Sequence, residues 1–336
     1  MKKAIITGVY GQDGTYLAKY LLKKKIKVYG IYNKKNQNLL HLNIEKKINL
    51  IKCDISNFKK ISTIIKRIKP NFIFNFAGIS SINESYKDPI KSDKINNSSV
   101  LNILESIKKF SKESKLFQAS SSELFSESKL IKMNENSSFN PNSPYAIAKL
   151  SAHNYCGLYR SAYKIYVVSG ILFNHESPLR KEKFFTKKII KNLVKYKFKK
   201  NENKIQIGNI NSERDWGNAE DFVKVIYKSL TLKKPTDFVF CTGIKRSVKY
   251  FIDSVARNLN IKLNWIKKKN KIVAINPKTK RIVIETNKNI FKKDNLYNFI
   301  GNNHKAKKIL NWKPDKNINN LIKKMIKFEL QNYENL

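Results

Sequence analysis

The feature that most constrains the fold is a glycine-rich turn near the start of the chain. Residues 4–7 form a short apolar run that predicts a β-strand, and residues 15–23 form an amphipathic run that predicts a helix. Between them, residues 8–14 read GVYGQDG, a G-x-x-G-x-x-G spacing. Glycine permits a tight turn and lets backbone N–H groups reach a pyrophosphate at the helix N-terminus. A plain glycine-rich turn is the alternative, but the position between strand and helix favours a dinucleotide site.

Strands and helices alternate through the first half of the sequence. Further strands are predicted at residues 26–31, 48–52, 71–76, 115–119 and 165–172, and a mainly helical segment at 90–110. This alternation predicts an α/β fold with a doubly wound parallel sheet, in which ligands bind outside the carboxyl ends of the strands. We expect residues 1–172 to form this domain. Residues 173–336 are expected to form mainly a smaller mixed α/β domain, with some segments returning to the first.

The second half is less regular. Residues 267–281 are polar and predict a flexible loop. Helices are predicted at residues 306–310 and 321–330, which close the chain.

Two short motifs follow the strand predicted at residues 115–119. Residues 118–124 read QASSSEL and predict a strand end that turns into a loop. Residues 143–149 read SPYAIAK and predict the start of a helix, because Ser143 suits the N-cap and Pro144 suits the first helical position.

Tyr145 and Lys149 are four residues apart and would share one helix face. A lysine ammonium near a phenol favours the phenolate, so we expect Lys149 to lower the tyrosine pKa from its usual value of about 10. Tyr145 is therefore a candidate proton-transfer group. Glu123, in the neighbouring loop, is a second candidate; its alternative role is to cap or anchor that loop.

The chain is strongly basic, with a formal net charge of +43 over 336 residues. Such a charge suggests nucleic-acid binding. The lysines, however, are spread from Lys2 to Lys327, without a basic tail or an arginine stripe interleaved with aromatic residues. We therefore expect only weak, salt-sensitive binding to DNA or RNA and no nucleic-acid partner.

Cysteine and histidine usage predicts neither disulfides nor a metal site. Cys53, Cys156 and Cys241 are far apart, and no C-x-x-C pair is present. His175 has no partner at a metal-ligand spacing. No apolar run approaches the roughly 18 residues of a membrane span, and no signal peptide is expected. These features predict a cytoplasmic protein with buried reduced thiols and no membrane partner.

The end of the second predicted strand bears on the choice of dinucleotide. A site for NAD usually has an acid about 20 residues beyond the glycines, whereas residues 32–35 here read YNKK. Lys34 suits a 2′-phosphate and predicts NADP, although surface charge is an alternative because lysine is common throughout the chain. Asp54, after the third strand, is expected either to accept from the adenine amino group or to cap a helix from Ser56.

The order of these motifs resembles that of the GDP-mannose 4,6-dehydratase family, within the extended short-chain dehydrogenases. Besides the glycines and the Tyr-x-x-x-Lys pair, residues 173–178 read FNHESP and residues 214–217 read RDWG, and these two segments are the more diagnostic. The resemblance covers nearly the whole chain. It implies a Rossmann-type domain, a smaller sugar-nucleotide domain, NADP as cofactor, GDP-mannose as substrate and a homodimer or homotetramer.

The resemblance also implies roles for the residues that match the family motifs. Ser121 would hydrogen-bond the sugar C4 hydroxyl, and Tyr145 would be the base for that hydroxyl. Glu123 would be the acid–base carboxylate, and Lys149 would hold the nicotinamide ribose. Further cofactor contacts are implied for Gly8, Gly11, Gln12, Asp13, Gly14, Lys34, Asp54, Ile55, Phe76, Ala77, Gly78, Ser80, His175 and Arg180. Contacts to the sugar nucleotide are implied for Ser85, Asn174, Lys188, Arg214 and Lys292.

The chain departs from the family pattern at several positions. Tyr10 replaces a small hydroxyl residue, Ser126 replaces a glycine, and Asn33 replaces an arginine that often binds the 2′-phosphate. Lys292 replaces an arginine near the diphosphate, which loses bidentate geometry. These departures bear on substrate and cofactor preference more than on the reaction class.

The reaction implied by the resemblance is conversion of GDP-mannose to GDP-4-keto-6-deoxymannose and water. Another sugar-nucleotide dehydratase, an epimerase or a reductase on the same fold is the alternative. An epimerase or reductase would need the Tyr145–Lys149 pair but no elimination acid, so Glu123 discriminates between them. A further alternative is a binding protein that kept the fold and lost its activity. The presence of all four residues Ser121, Glu123, Tyr145 and Lys149 argues against this alternative.

Overall fold

A computed structural model describes residues 1–126, 132–198, 203–287 and 300–334 of the chain. Its strands are β1 (Lys3–Thr7), β2 (Lys27–Tyr32), β3 (Asn49–Lys52), β4 (Phe72–Asn75), β5 (Lys115–Ser121), β6 (Lys132–Met133), β7 (Val167–Leu172), β8 (His175–Glu176), β9 (Ile205–Ile207), β10 (Glu213–Asp215), β11 (Gly217–Asn218), β12 (Phe238–Phe240), β13 (Lys245–Ser247), β14 (Asn264–Lys268), β15 (Lys271–Ile275), β16 (Ile282–Thr286) and β17 (Ile300–Gly301).

The α-helices are α1 (Gln12–Lys23), α2 (Asn38–His41), α3 (Phe58–Ile68), α4 (Ile82–Lys87), α5 (Pro89–Asp93), α6 (Ser99–Phe110), α7 (Pro144–Ala162), α8 (Phe185–Lys197), α9 (Ala219–Ser229), α10 (Val248–Asn258), α11 (His304–Leu310) and α12 (Ile318–Glu334). In the described part of the chain no helix is both long and apolar enough to cross a bilayer.

Seven of the described strands form one parallel sheet in the order β12-β7-β5-β4-β1-β2-β3. The chain winds in opposite directions from β1, so the switch point of the sheet lies between β1 and β4. The predicted doubly wound fold is therefore confirmed. β12 is the strand that sequence reasoning did not anticipate in this sheet, and it lies more than sixty residues after its neighbour β7.

The sheet is buried on both faces. Every residue of β4 (FIFN) and of β7 (VVSGIL) is buried, as expected for central strands of a covered parallel sheet. On one face the core includes Leu17 of α1 and Phe222 of α9. On the other face it includes Ile61 of α3 and Ile103 of α6. The predicted buried, unpaired thiols are confirmed for Cys53, Cys156 and Cys241.

A second core lies between α8, α10 and α12 and the sheet β14-β15-β16-β9. This corrects the loop predicted at residues 267–281, because β14 and β15 form an antiparallel hairpin there. Ala274 and Ile284 are buried in this core, whereas most of β14 is exposed. Edge strands are often rich in lysine, because charge prevents edge-to-edge association. The lysines of β14 made the segment polar, and for this reason it was predicted as a loop.

The predicted helix at residues 90–110 is divided into three parts. α5 and α6 flank a π-helical turn at Lys94–Ser98. Single π-turns inside helices often mark functional positions. Here the turn carries Asn96, which is buried at 1% exposure.

Asp237, next to the start of β12, connects β12, β7 and α7. Its carboxylate accepts from Arg160 NH1 and NH2, each at 2.6 Å, and from the backbone N–H of Ser169 at 2.8 Å. The side chains of Arg160 and Asp237 are 23% and 17% exposed. Burial raises the pKa of Asp237, but the hydrogen bond and charge of Arg160 outweigh it, and the pKa lies below its usual value.

We expect Asp237→Asn to lower the free energy of unfolding by about 1–3 kcal/mol at neutral pH. Because the folded pKa is lowered, the contribution of Asp237 is present above the unfolded pKa of about 3.9 and is lost as the pH falls through the folded pKa. Denaturant titrations at several pH values should show the variant and parent converging in acid. Glu182→Gln, which removes an exposed partner of Lys191, is the control and should change stability by less than about 0.5 kcal/mol. A pH-independent difference would contradict this account.

Candidate active site

The loops that follow β1, β4, β5 and β7 meet at the carboxyl edge of the sheet. They contain the glycine-rich turn, residues 76–80, residues 121–126 and residues 173–180. This is the edge at which a doubly wound sheet binds its ligand. The predicted site residues of these four loops are therefore brought to one edge by the fold.

The glycine-rich turn has no room for side chains at two of its glycines. Gly8 has φ +68°, and a Cβ there would lie 2.9 Å from the backbone nitrogen of Ala77. A Cβ on Gly14 would lie 2.4 Å from the carbonyl oxygen of Gly8. Gly11 donates its N–H to the same carbonyl at 2.8 Å and is followed by α1. The turn therefore brings backbone N–H groups and the helix N-terminus close together, which fits a pyrophosphate.

Polar side chains join this turn to the segment after β7. The Gln12 side chain donates to the carbonyl of His175 at 3.0 Å and accepts from the Ser177 hydroxyl at 2.7 Å. His175 Nε2 lies 3.0 Å from Asp13 Oδ1, and Nδ1 lies 2.8 Å from the carbonyl oxygen of Phe173. The His175 ring, in the segment after β7, thus orients the Asp13 carboxylate at the start of α1.

The Asp13–His175 contact shifts both pKa values. Burial raises the pKa of Asp13 and lowers that of His175, but the mutual charge interaction and hydrogen bond exceed this effect. The pKa of Asp13 therefore lies below its usual value and that of His175 above it. An ionised Asp13 beside the turn is suited to accept hydrogen bonds from a ribose or amide group.

The helix α7 begins as predicted. Ser143 caps it by accepting from the backbone N–H of Ala146 at 3.2 Å, and Pro144 occupies the first turn. Ser85 Oγ accepts from the N–H of Tyr145 at 3.1 Å and donates to the carbonyl of Ile82 at 2.7 Å. The fully buried Ser85, implied by the resemblance to bind substrate, therefore holds the start of the helix that carries Tyr145.

Tyr145 and Lys149 are both buried, at 8% and 7% exposed. Lys149 Nζ donates to the carbonyl of Ala119 at 2.9 Å and lies 6.0 Å from the centre of the Tyr145 ring. The lysine thus bridges α7 and β5. Burial lowers the pKa of Lys149 to about 8, so its ammonium remains protonated at neutral pH and close to titration.

The expectation that Lys149 lowers the pKa of Tyr145 is wrong for this arrangement. Burial raises that pKa to about 12. A hydrogen bond with Ser121 and the charge of Arg180 act in the lowering direction, and the charge of Glu123 acts in the raising direction. Burial dominates because the phenol lies within the protein, while the ammonium is directed at the carbonyl of Ala119.

Ser121 and Glu123 lie where β5 ends in a short 3₁₀ turn, Ser122–Phe125. Ser121 Oγ accepts from the backbone N–H of Glu123 at 3.2 Å. The hydroxyl of Ser126 lies 3.2 Å from Glu123 Oε2. The Glu123 carboxylate therefore has a local anchor, and its charge also acts on Tyr145. The 3₁₀ turn packs against α7, so Glu123 and Tyr145 lie at the same edge of the sheet.

Asn96 is a functional candidate that sequence reasoning missed. Its side-chain oxygen accepts from the N–H of Ile79 at 3.1 Å, and its side-chain nitrogen donates to the carbonyl of Ile79 at 3.1 Å. A Cβ on Gly78 would lie 2.7 Å from the Asn96 oxygen and 3.7 Å from Lys149 Nζ. Asn96 thus fixes the loop of residues 76–80 beside Lys149. The only signal in the sequence was an asparagine inside a helical pattern, where its propensity is low.

The residues predicted to contact the adenosine part of the dinucleotide are Lys34, Asp54 and Ile55, and two of these three are exposed. Lys34 is exposed, and Ile55 is buried. Asp54 Oδ1 accepts from the N–H of Ser56 at 2.9 Å, a contact within the turn before the helix, so the capping role predicted for Asp54 is wrong. The helix itself begins later than expected, at Phe58, and Asn57 is its N-cap.

Arg180 lies in the segment after β7, and its side chain is 17% exposed. Its Nε is 3.1 Å from Glu176 Oε2, and its guanidinium lies 3.7 Å from the centre of the Phe184 ring. Its charge acts in the lowering direction on the pKa values of both Tyr145 and Asp13. A fixed positive charge at this position favours anionic groups in the site.

The residues assigned to the sugar nucleotide are spread over the second half of the chain. The carbonyl of Asn174 accepts from the N–H of Gly217 at 2.8 Å. Lys188 Nζ donates to the carbonyl of Gln206 at 2.9 Å, and Arg214 NH1 donates to the carbonyl of Glu213 at 2.7 Å. Lys292 lies outside the described residues. Among the residues that the structure does describe, no group of three His, Cys, Asp or Glu side chains is placed to hold a metal ion.

Solved structures show the same architecture over almost the full length. The dTDP-glucose 4,6-dehydratase of Bacillus anthracis, in complex with NAD, superposes with a TM-score of 0.80 at 19% identity and covers 99% of this chain and 98% of its own. The Pseudomonas aeruginosa protein RMD, complexed with NADPH, gives a TM-score of 0.78 at 18% identity and covers 99% and 100%. At this identity the likeness shows the fold, which is of the Rossmann type.

Sequence comparison is more specific. A family model described as GDP-mannose 4,6 dehydratase matches residues 5–325. The GDP-mannose 4,6 dehydratase of Dictyostelium discoideum is 32% identical over 99% of this chain and 97% of its own. The corresponding Vibrio cholerae protein is 34% identical over 98% and 94%. Because the match spans both the loops of the candidate site and the second core, the chain belongs to the GDP-mannose 4,6-dehydratase family.

Proposed function

We propose that this protein is an NADP-dependent GDP-mannose 4,6-dehydratase, which forms GDP-4-keto-6-deoxymannose and water. One observation carries this proposal: Tyr145 and Lys149 are both buried at the start of α7, and this helix packs against the turn at the end of β5 that carries Ser121 and Glu123. Family membership supports the choice of GDP-mannose. The glycine-rich turn supports a dinucleotide, since its backbone N–H groups and the N-terminus of α1 fit a pyrophosphate.

When bound, the nicotinamide would supply the hydride chemistry: it would accept a hydride from C4 of the sugar and later return that hydride to C6. The protein residues control the accompanying protons. In the first step Tyr145 removes the proton of the C4 hydroxyl as a ketone forms at C4. Ser121 orients the same hydroxyl. Arg180 favours the phenolate form, because its charge acts in the lowering direction on the pKa of Tyr145. Lys149, still protonated near neutral pH, is available to hold the nicotinamide ribose.

Glu123 serves the elimination that follows. The C4 ketone acidifies the C5 proton, and the Glu123 carboxylate removes it. The same proton is then delivered to the C6 hydroxyl, and the C6–O bond breaks to release water. Glu123 is ionised again at the end of this step. Hydride return to C6 is accompanied by protonation of C5, and this proton balances the one that Tyr145 removed from the C4 hydroxyl. Neither a metal nor an added reductant is therefore required.

Product analysis separates this proposal from the rival reactions. Purified protein incubated with GDP-mannose should give a product lighter by the mass of one water, without net consumption of NADPH. An epimerase would leave the mass unchanged, and a reductase would consume reduced cofactor. Either result would replace the proposed reaction.

The cofactor preference gives a second test. We expect calorimetric titration to show tighter binding of NADP than of NAD, because Lys34 and Lys35 lie after β2 and no acid follows that strand directly. Lys34→Gln should weaken NADP binding by about tenfold and leave NAD binding nearly unchanged. Lys24→Gln, at the end of α1, is the charge-matched control. Equal affinities of the parent for the two dinucleotides would show that the lysines are only surface charge.

We also propose the wider organisation implied by the family. Residues 1–172 form the NADP-binding domain, and residues 173–336 form mainly the sugar-nucleotide domain, with β12 returning to the first sheet. Exposed Ile147 and Leu158 on α7 support a homodimer or homotetramer. Three buried free cysteines support a reducing compartment, the cytoplasm.

A further inference from the structure

A row of three buried polar side chains crosses the centre of the parallel sheet. The strand register places Thr7 of β1 beside Asn75 of β4, and Asn75 beside Gln118 of β5. The Thr7 hydroxyl donates to Asn75 Oδ1, and Asn75 Nδ2 donates to Gln118 Oε1 at 2.7 Å. All three side chains are buried. Burying amides in the core of a sheet is costly unless they are hydrogen-bonded, so the Thr7–Asn75–Gln118 row is stable only as a connected network.

The two ends of the row fix the direction of its hydrogen bonds. At one end the backbone N–H of Ala77, which can only donate, donates to Thr7 Oγ1 at 3.1 Å. At the other end Gln118 Nε2 donates to the backbone carbonyl of Ala119, which can only accept, at 3.0 Å. The Asn75 amide between them must therefore present its oxygen to Thr7 and its nitrogen to Gln118. The row thus has one orientation, from the loop after β4 to the carbonyl of Ala119.

This carbonyl is open to side-chain donors because of where β4 ends. The first residue of β5 donates its N–H toward β4, and alternate residues share that direction, which includes Ala119. Asn75 is the last residue of β4 and lies opposite Gln118. In a longer parallel ladder the N–H of Ala77 would donate to the Ala119 carbonyl. Thr7 accepts that N–H instead, so the contact at one end of the row leaves the carbonyl at the other end open.

Lys149 uses the open carbonyl. Its Nζ donates to the Ala119 oxygen at 2.9 Å, alongside Gln118 Nε2 at 3.0 Å. A carbonyl oxygen has two lone pairs, so the amide of Gln118 occupies one and leaves one direction for the ammonium. Lysine carries its charge on a flexible four-carbon stem, and a single direction of approach restricts the positions that this charge can take.

We propose that Gln118 is a positioning residue for Lys149. The rest of the row, Asn75 and Thr7, holds the Gln118 amide in the required orientation. The inference rests on the proposed function, in which Lys149 holds the nicotinamide ribose. Thr7 directly precedes Gly8 of the glycine-rich turn, so the row joins the pyrophosphate end of the dinucleotide site to its nicotinamide end. No sequence motif identified the row, because its members are neighbours only through strand pairing.

Gln118→Met tests the proposal, because methionine keeps the length of the side chain and removes both of its hydrogen bonds. In steady-state kinetics at saturating NADP, kcat should fall about tenfold, while KM for GDP-mannose should stay within about twofold of the parent. Calorimetry should show NADP binding weakened about fivefold. The affinity for adenosine 2′,5′-bisphosphate, which lacks the nicotinamide ribose, should be unchanged.

Two further variants separate positioning from structural support. The first combines Thr7→Val, Asn75→Leu and Gln118→Met, which replaces the whole row with apolar side chains and leaves no amide of the row unpaired. It should be at least as stable as Gln118→Met, with kcat still about tenfold below the parent. The second, Asn303→Leu, is the matched control, because it removes a buried amide that donates to the carbonyl of Cys241, just after β12, at 2.7 Å. It should keep the kcat, KM and NADP affinity of the parent.

Parent-like kcat in Gln118→Met would overturn the inference, as would equal kcat losses in Gln118→Met and Asn303→Leu. Recovery of kcat together with stability in the combined variant would also overturn it, as would equal losses of affinity for NADP and adenosine 2′,5′-bisphosphate, because the role would then be structural. A parent protein that binds NADP but leaves GDP-mannose unchanged would refute the proposed dehydratase activity alone. In that case the comparison of the two nucleotide affinities would still decide the role of Gln118.

Discussion

Glu123→Gln should reduce the dehydration rate by about 10²–10⁴-fold, the usual cost of removing one general acid–base group. Glutamine keeps the size of the side chain and can still accept from Ser126, which lies 3.2 Å from Glu123 Oε2 in the parent. It cannot carry a proton from C5 to the C6 oxygen. C4 oxidation needs only Tyr145 and Lys149, so the variant should still generate reduced-cofactor absorbance in a single turnover, and solvent exchange at C5 should be lost.

The control for this variant is Glu113→Gln, which changes an exposed carboxylate just before β5, at the opposite end of the strand from Glu123. It should dehydrate GDP-mannose at the parent rate. Mass analysis of the product and exchange of solvent deuterium into C5 are the two measurements. If Glu123→Gln matches the parent in both, the carboxylate only anchors its loop, and the proposed mechanism is incorrect.

Tyr145→Phe should lose about 10²–10⁴-fold in rate at the preceding step. The phenol hydroxyl is the group that removes the C4 proton, and phenylalanine fills the same buried space without it. This variant should therefore produce neither dehydrated product nor reduced-cofactor absorbance, which distinguishes it from Glu123→Gln. NADP binding should be retained, because Lys149 is anchored by the carbonyl of Ala119 and not by the phenol.

Tyr163→Phe tests whether the effect is specific to the hydroxyl at the start of α7. Tyr163 is 42% exposed and is the C-cap residue of the same helix. It should retain parent activity and stability. Reduced cofactor formed by Tyr145→Phe at the parent rate would show that another group removes the C4 proton.

Local pattern predicted much of the framework. The first six strands expected from apolar runs lie in the observed sheet, and Ser143 and Pro144 start α7 as expected. The polar segment at residues 267–281 was predicted incorrectly, because its strands pack against a core formed by distant helices. The pKa of Tyr145 was predicted in the wrong direction for a related reason: spacing on a helix gives proximity, whereas burial depends on the whole fold.

The sequence by itself determined the doubly wound architecture, the glycine-rich turn and the identity of the catalytic candidates, because strand period, helix capping and glycine geometry are encoded over a few neighbouring residues. Tertiary structure decided what these residues contact. Asn96 reaches Ile79 across seventeen positions, and Gln118 reaches Asn75 by pairing of β4 and β5. Such contacts depend on chain crossovers and strand register, which bring distant segments together and leave no periodic signal in either one.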